Sequence, residues 1–312
     1  MNGYIVGIGA ANVDISGRSE EPIVMGDSNH GPISLSTGGV TRNILENLSR
    51  LGLPVSLITA MGDDLNGATL ISECSKLEIN TERVLVVPGR TSSTYMAVLD
   101  DKVNMLVSIC DVSILECLTK EYLEQHREYV SEARALVCDP SLPAETLDFV
   151  INDLSGNVPV YVDTVSTAFA KKLAPFAGGC DTIKPNALEL EYMTGIPTDT
   201  LDGIRKACDK LLNAGVRRVV VSRGEKGCAC AISDGRFIAR SLKPVTEMVN
   251  ATGAGDSLMA GLIYSHFNGY GEEQALDFGM ACGIAAILSS RTINPKICKQ
   301  LILSILQTYG NK

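Results

Sequence analysis

The stretch Thr252-Gly-Ala-Gly-Asp-Ser-Leu-Met-Ala-Gly261 has the residue types and spacing to do chemistry. Two glycines ahead of a helical segment let the backbone turn tightly and leave its N–H groups bare. The positive end of the helix dipole falls at the same place, which makes an anion site. If the anion is a phosphoryl group in transit, Asp256 in the first turn can take the proton of the attacking hydroxyl. Spacing alone fits a plain helix start equally well, with Asp256 only complementing the dipole. The stretch is not a Walker A loop, because no Lys-Ser/Thr follows the glycines, and it lacks the Gly-x-Gly-x-x-Gly dinucleotide pattern.

Three further groups have types that could converge on it. Lys184-Pro-Asn186-Ala-Leu-Glu189 lies where a predicted strand runs into a helix, at the carboxyl edge where open α/β sheets bind ligands. Asn186 and Glu189 could form a capping box, or reach a hydrated Mg²⁺ through water. Ser222-Arg-Gly224-Glu-Lys-Gly227 ends an apolar strand and suits close approach by phosphate or ribose, although a plain turn would look the same. Asn12, Asp14, Gly38, Gly39 and Asn43 are each ordinary turn or cap residues, but together they could hydrogen-bond the vicinal hydroxyls of a sugar.

The elements that must position these groups follow from periodicity. Tyr4–Ile8 reads as a buried strand. Val40, Ile44, Leu45, Leu48 and Leu51 have helical spacing, stopped by Gly52. Val84–Val87, Ser93–Leu99 and Met105–Ile109 are strand-like with no helix between them, so they are expected to form an antiparallel group, which together with pieces of residues 13–36 could make a small separate sheet. Strands near Ala135–Cys138, Val158–Val162, Thr182–Ile183 and Val216–Ser222 then alternate with helices. Asp234-Gly235 turns a hairpin, and three helices close the chain. The fold class expected is α/β: a Rossmann-like, mainly parallel sheet covered by helices on both faces, with a small β-sheet lid. One domain over residues 1–312 is expected, its lid built from segments about 13–36 and 84–111 and interleaved with the main sheet.

Composition bounds the partners. The 312 residues carry a net charge of −9, which argues against non-specific nucleic-acid binding but not against a nucleotide held locally. No apolar stretch reaches the ~20 residues that cross a membrane. The N-terminus shows no basic segment followed by an apolar one, so a cytoplasmic location is expected. The ten cysteines, Cys74, Cys110, Cys138, Cys180, Cys208, Cys282 and Cys298 among them, read as small buried hydrophobes. The three histidines are scattered and expected mostly at the surface, with His30 beside the candidate substrate loop.

Ala11-Asn12-Val-Asp14, Gly38-Gly39-Val-Thr-Arg-Asn43, Gly62-Asp63-Asp64-Leu-Asn-Gly67, Lys184-Pro-Asn-Ala-Leu-Glu189 and Thr252-Gly-Ala-Gly-Asp256 occur in that order. In this the chain resembles the ribokinase-like (PfkB) family of carbohydrate and nucleoside kinases over essentially its whole length. Within the family it is similar to the pseudouridine kinases in Asp27-Ser28-Asn29, in Thr91-Ser-Ser-Thr94-Tyr-Met-Ala-Val-Leu-Asp100 and in Tyr161-Val-Asp163-Thr-Val-Ser166. The resemblance implies transfer of a phosphoryl group from Mg·ATP to a hydroxymethyl group, here the 5′-hydroxyl of a nucleoside. Asp256 then matches the catalytic base, and Gly253, Ala254 and Gly255 the anion hole. Asn12, Asp14, Ser28, Gly38, Gly39, Asn43, Thr94 and Asp111 fall on the substrate side. Lys184, Asn186, Ser222, Gly224, Gly227, Gly253 and Gly255 fall on the ATP side, and Asn186 and Glu189 near Mg²⁺.

Two departures stand out. Many members have Asp at the position of Asn250, where it helps hold a monovalent cation, so K⁺ activation is left open. Cys110 stands where a pseudouridine kinase is expected to have Asn, while Asp111 could still accept from a uracil N–H. Exposed strand edges on the lid would favour a homodimer through the lid. The alternatives are a kinase for another sugar or nucleoside (ribose, fructose, adenosine) and a non-catalytic ligand-sensing relative.

Overall fold

The computed structural model describes residues 3–310. Met1 and Asn2, part of the N-terminal stretch read for a leader, lie outside them. A nine-stranded sheet runs in the order Phe237–Arg240, Cys228–Ile232, Arg218–Ser222, Thr182–Lys184, Val160–Asp163, Ala135–Cys138, Ile5–Ile8, Val55–Ile58, Ile79–Asn80. From Ile79–Asn80 to Arg218–Ser222 all pairs are parallel, and the two strands of the Asp234-Gly235 hairpin finish one edge antiparallel.

Successive residues of each strand serve opposite cores, as a sheet buried on both faces requires. Ile5, Val137 and Tyr161 pack with helices Val40–Arg50, Ala254–Phe267 and Glu272–Ile287. Val6, Leu136 and Val162 pack with helices Ala144–Phe149, Thr167–Leu173 and Leu201–Asn213. The expected α/β class is therefore the observed one. The helix Thr167–Leu173, capped by Ser166, was not foreseen.

The second sheet holds Ile33–Gly38, Asn12–Arg18, Thr94–Leu99 and Met105–Asp111, in that order. Thr94–Leu99 and Met105–Asp111 pair antiparallel, as expected, while Asn12–Arg18 joins Thr94–Leu99 in parallel. One expectation is corrected here. Leu85–Val87 is not in the lid: it pairs in parallel with Ala60–Gly62, led in by Leu85 N–H donating to Thr59 C=O at 2.8 Å. The Gly62–Gly67 motif ties the lid down at this point. Asp64 caps the helix Leu65–Lys76 and accepts from Ser92 N and Ser92 Oγ at 2.9 and 2.6 Å, just before the lid strand begins.

Seven of the ten cysteines are buried, as expected, but Cys110 is exposed on the lid and Cys117 and Cys298 are half-buried. Of the histidines only His30 is exposed. His266 is held between Tyr161 Oη (3.1 Å) and Glu272 (3.3 Å). Burial alone would raise the Glu272 pKa, but His266 and Arg218 outweigh it and hold it at about 2. Arg218 bridges Glu272 and Asp181 at 2.8 and 2.5 Å across the sheet's other edge. Arg218→Met removes the buried cation the two carboxylates share, leaving Asp181 only the exposed Arg217 and Glu272 only His266. It should lower stability by about 3–5 kcal/mol, read as a lower denaturant midpoint with unchanged slope.

Candidate active site

The carboxyl ends of the parallel strands and the start of helix Ala254–Phe267 meet beneath the lid. Gly253 caps that helix with φ 80°, and no side chain among the described residues caps it. A Cβ at Gly253 would strike the Thr292 carbonyl, so the turn needs glycine for its angle and for its space. The first N–H groups of the helix are left for a ligand.

Asp256 follows in the first turn, half-buried. Asn43 Nδ2, one turn into the helix Val40–Arg50, donates to Asp256 Oδ2 at 2.8 Å. Ser257 Oγ donating to Asn47 Oδ1 at 3.3 Å ties the two helices again, with Asn47 itself oriented by its Nδ2 donating to Asn43 O at 2.9 Å. Burial, then the negative charge of Asp163 and, more weakly, of Asp139, pushes the Asp256 pKa up to about 7, against the Asn43 hydrogen bond and the Lys184 charge. A carboxylate poised there is matched to general-base work near neutral pH.

Of the residues expected on the substrate side, Asn12, Asp14, Gly38 and Gly39 lie together. Asn12 Nδ2 donates to Asp14 Oδ1. A Cβ on Gly38 would overlap the Asp14 carboxylate, and one on Gly39 (φ 95°) would strike the Ala10 carbonyl, so both glycines are required by close approach. Burial pushes Asp14 up to about 6, opposed by the Arg42 charge and by Asn12.

Three substrate-side candidates are not brought together with this group. Ser28 lies on an exposed loop knotted by Asn29, whose side chain bonds Val24 N and Val24 O at 2.8 and 3.1 Å. Register pairs Val13 with Thr94 and Thr94 with Asp111, while Asp14 pairs with Tyr95 and Tyr95 with Cys110. Thr94 and Asp111 thus share the face opposite Asp14, and Cys110 shares Asp14's own. Thr94 Oγ1 bonds Asn66 and Ser92, and Asp111 Oδ1 accepts from Ser113 N at 3.0 Å.

Among the residues expected on the nucleotide side, Asn186 and Glu189 form the capping box at 2.8 Å each way, and Thr164 Oγ1 donates to the same Glu189 oxygen at 2.6 Å. Asn186 also bridges to Ser222, which puts the two loops side by side. Gly224 (φ 58°) faces open space, and Gly227 (φ 79°) packs on the Arg240 carbonyl. Lys184 is buried, with Nζ 2.9 Å from Asp163 Oδ2. Burial works against its charge, but Asp163 outweighs it and the ammonium's pKa is raised. Asn250 Oδ1 accepts from Thr252 N at 3.0 Å, holding the approach to the glycine turn.

Two carboxylates here escaped the sequence reading of the site. Asp139 is fully buried at the end of its strand, where it accepts from Ala10 N (2.8 Å), Thr41 Oγ1 (2.6 Å) and Ser141 N (2.9 Å). Asp163 occupies the same position on the next strand. Each follows an apolar strand, as in Val137-Cys-Asp139 and Tyr161-Val-Asp163, and the second lies in the Tyr161–Ser166 stretch that carries part of the resemblance.

An open glycine turn at a helix start, a half-buried carboxylate with a raised pKa and a buried ammonium, roofed by a small sheet, fit a phosphotransferase site on a ribokinase-like fold. Residues 2–298 match the pfkB family of carbohydrate kinases, and the chain belongs to that family as a sugar or nucleoside kinase. It is 34% identical to the pseudouridine kinase of Escherichia coli (strain K12), over 97% of this chain and 96% of that one. A carbohydrate kinase from Agrobacterium tumefaciens superposes with a TM-score of 0.83 at 25% identity, over 99% and 98% of the two chains. Arabidopsis thaliana ribokinase, solved with ribose and ATP, shares the fold with a TM-score of 0.86 at 23% identity, over 98% and 99%.

Proposed function

We propose that the protein transfers the γ-phosphoryl group of ATP to the 5′-hydroxyl of a nucleoside, pseudouridine, in the cytoplasm. The observation that carries this is the 2.8 Å bond from Asn43 to Asp256, which joins the sugar-side helix to the anion-site helix at the base itself. A hydroxyl lying on Asn12, Asp14 and the Gly38-Gly39 turn reaches Asp256 from one side. A phosphoryl group at the Gly253–Gly255 turn reaches it from the other. Asn43 Oδ1 is buried without a partner among the described residues, an acceptor suited to a substrate hydroxyl. Asp256 takes the proton as the oxygen attacks, and the helix N–H groups with Lys184 receive the charge. The 34% identity to a pseudouridine kinase supports the choice of nucleoside.

Mg²⁺ fits as a companion of the nucleotide. Among the described residues no group of three or more His, Cys, Asp or Glu could cage it. The capping box occupies Asn186 Oδ1 and one Glu189 oxygen, so these two residues would hold a hydrated ion through water. When bound, Mg²⁺ neutralises charge on the phosphate oxygens. Asn250 is uncharged and its oxygen is engaged by Thr252 N, so turnover should not require K⁺. A panel of pseudouridine, uridine and ribose tests the substrate. The highest kcat/KM is expected for pseudouridine. A clear preference for ribose would overturn the nucleoside assignment, and would accord with Cys110, not an amide, sharing Asp14's face.

The homodimer through the lid is proposed on the lid's face, not on its edges. Register aligns Leu35, Ile15, Met96 and Ile109 in one row, and Ile33, Gly17, Val98 and Val107 in the next. Ile33, Leu35, Val107 and Ile109 are each more than half exposed. An apolar face of this extent needs a cover, and a second lid packed on it supplies one. Sedimentation should show a dimer for the wild type and a monomer for Ile109→Lys. A monomeric wild type at micromolar concentration contradicts it.

A further inference from the structure

Asp163 and Lys184 end neighbouring parallel strands and pair in register. Their side chains, 7% and 5% exposed, meet at 2.9 Å. A Cβ built on Gly255 would stand 3.3 Å from Lys184 Nζ, so the ammonium abuts the glycine turn from beneath. An ammonium has three donors, and one lies in this pair. Asp163 is itself fixed by its backbone: its Oδ1 accepts from Val165 N at 3.1 Å. Val165 has φ 63°, a left-handed conformation that β-branched residues avoid and that persists where the surroundings impose it.

We propose that Asp163 is a positioning residue of the phosphoryl site, holding the Lys184 ammonium against Gly255 so that its remaining donors meet the phosphoryl oxygens, and setting the charge environment of Asp256. The inference rests on the kinase reading above and adds no chemical step to it. Four groups face Asp256. Asp163 and Asp139, from two strand ends, disfavour its charge; Lys184, from a third, and Asn43, from the helix Val40–Arg50, favour it. Removing the charge of Asp163 therefore does two things. It frees Lys184 from its place, and it makes Asp256 a weaker base that stays ionised to lower pH.

The test is steady-state kinetics with Mg·ATP and the preferred nucleoside for wild type, Asp163→Asn, Asp163→Glu, Lys184→Met and the Asp163→Asn/Lys184→Met double variant. Displacing a catalytic group by an ångström costs about 10²-fold. Asp163→Asn should lose kcat on that order with nucleoside KM little changed. The acid limb of its kcat/KM profile should move to lower pH, while Asp163→Glu keeps the limb in place. Above the acid limb, where Asp256 is ionised in both, the double variant should be no slower than Lys184→Met alone, because Asp163 there acts through Lys184. If Asp163→Asn does not fold, the double variant against Lys184→Met decides, since neither buries an unpaired ammonium. Additive losses with an unmoved acid limb overturn the inference and leave the kinase reading standing. A folded wild type that phosphorylates no nucleoside or sugar overturns both.

Discussion

Asp256→Asn is expected to lower kcat by about 10²–10⁴-fold, the usual contribution of a positioned general base, while leaving KM for both substrates near the wild-type values. The amide keeps the shape and can still bond to Asn43, so the variant should fold. What it loses is the capacity to accept the hydroxyl proton. The same residue sets a pH dependence. Asp256 must be ionised to act, and its pKa is raised to about 7, so kcat/KM should fall as pH drops through 7. Asp14, raised to about 6, should add a second loss below that value as its acceptor character disappears. A kcat/KM profile flat from pH 8 to 5.5 would contradict both assignments. Because the two carboxylates share a site, the measured steps belong to the pair.

Gly253→Ala should be nearly as damaging, for a different reason. The added methyl would meet the Thr292 carbonyl carbon at 2.9 Å and its oxygen nearer still, and φ 80° is itself unfavourable for alanine. The turn must shift, and with it the N–H groups that open the helix Ala254–Phe267. Loss of one preorganised donor of this kind costs about 10²–10³ in kcat. The proposed substrate side at Asp14 and Gly38 lies on another segment, so KM for the nucleoside should be spared. Steady-state kinetics that show an unchanged kcat would mean that these N–H groups do not meet the phosphoryl charge.

Much of the fold was legible because local patterns and tertiary demands agree. The spacing of Val40, Ile44, Leu45 and Leu48 gives a helix whose apolar side all reaches one core. Apolar strands such as Ala135–Cys138 are buried on both faces, as continuous runs should be. The lid was less legible. Leu85–Val87 looks like its neighbours in sequence, and only pairing with Ala60–Gly62 assigns it elsewhere. The alternation in Thr94–Leu99 and Met105–Asp111 marks two faces, but not which one meets the substrate. Register alone separates Cys110 from Asp111.

The candidate site was legible where its residues lie in a contiguous motif. Asp256, the glycine turns and the Asn186–Glu189 box were found in that way. Asp139 carries no motif, and Asp163 entered only within the Tyr161–Ser166 stretch of the resemblance, with no role at the site. Their importance comes from strands 24 residues apart in sequence, by their numbers, ending side by side in the sheet, which local pattern does not report. The capping box also shows that one pair of residues can serve structure and site together. Its bonds are satisfied within the protein, and what it offers a ligand is the ordered start of a helix.

The central claim is that a nucleoside hydroxyl gives its proton to Asp256 as it takes the phosphoryl group. Phosphorus NMR of pseudouridine incubated with Mg·ATP and purified protein tests it most directly. The account predicts a 5′-phosphate signal growing with ADP for the wild type, and almost none over the same period for a folded Asp256→Asn variant. Equal product from the two proteins would contradict it.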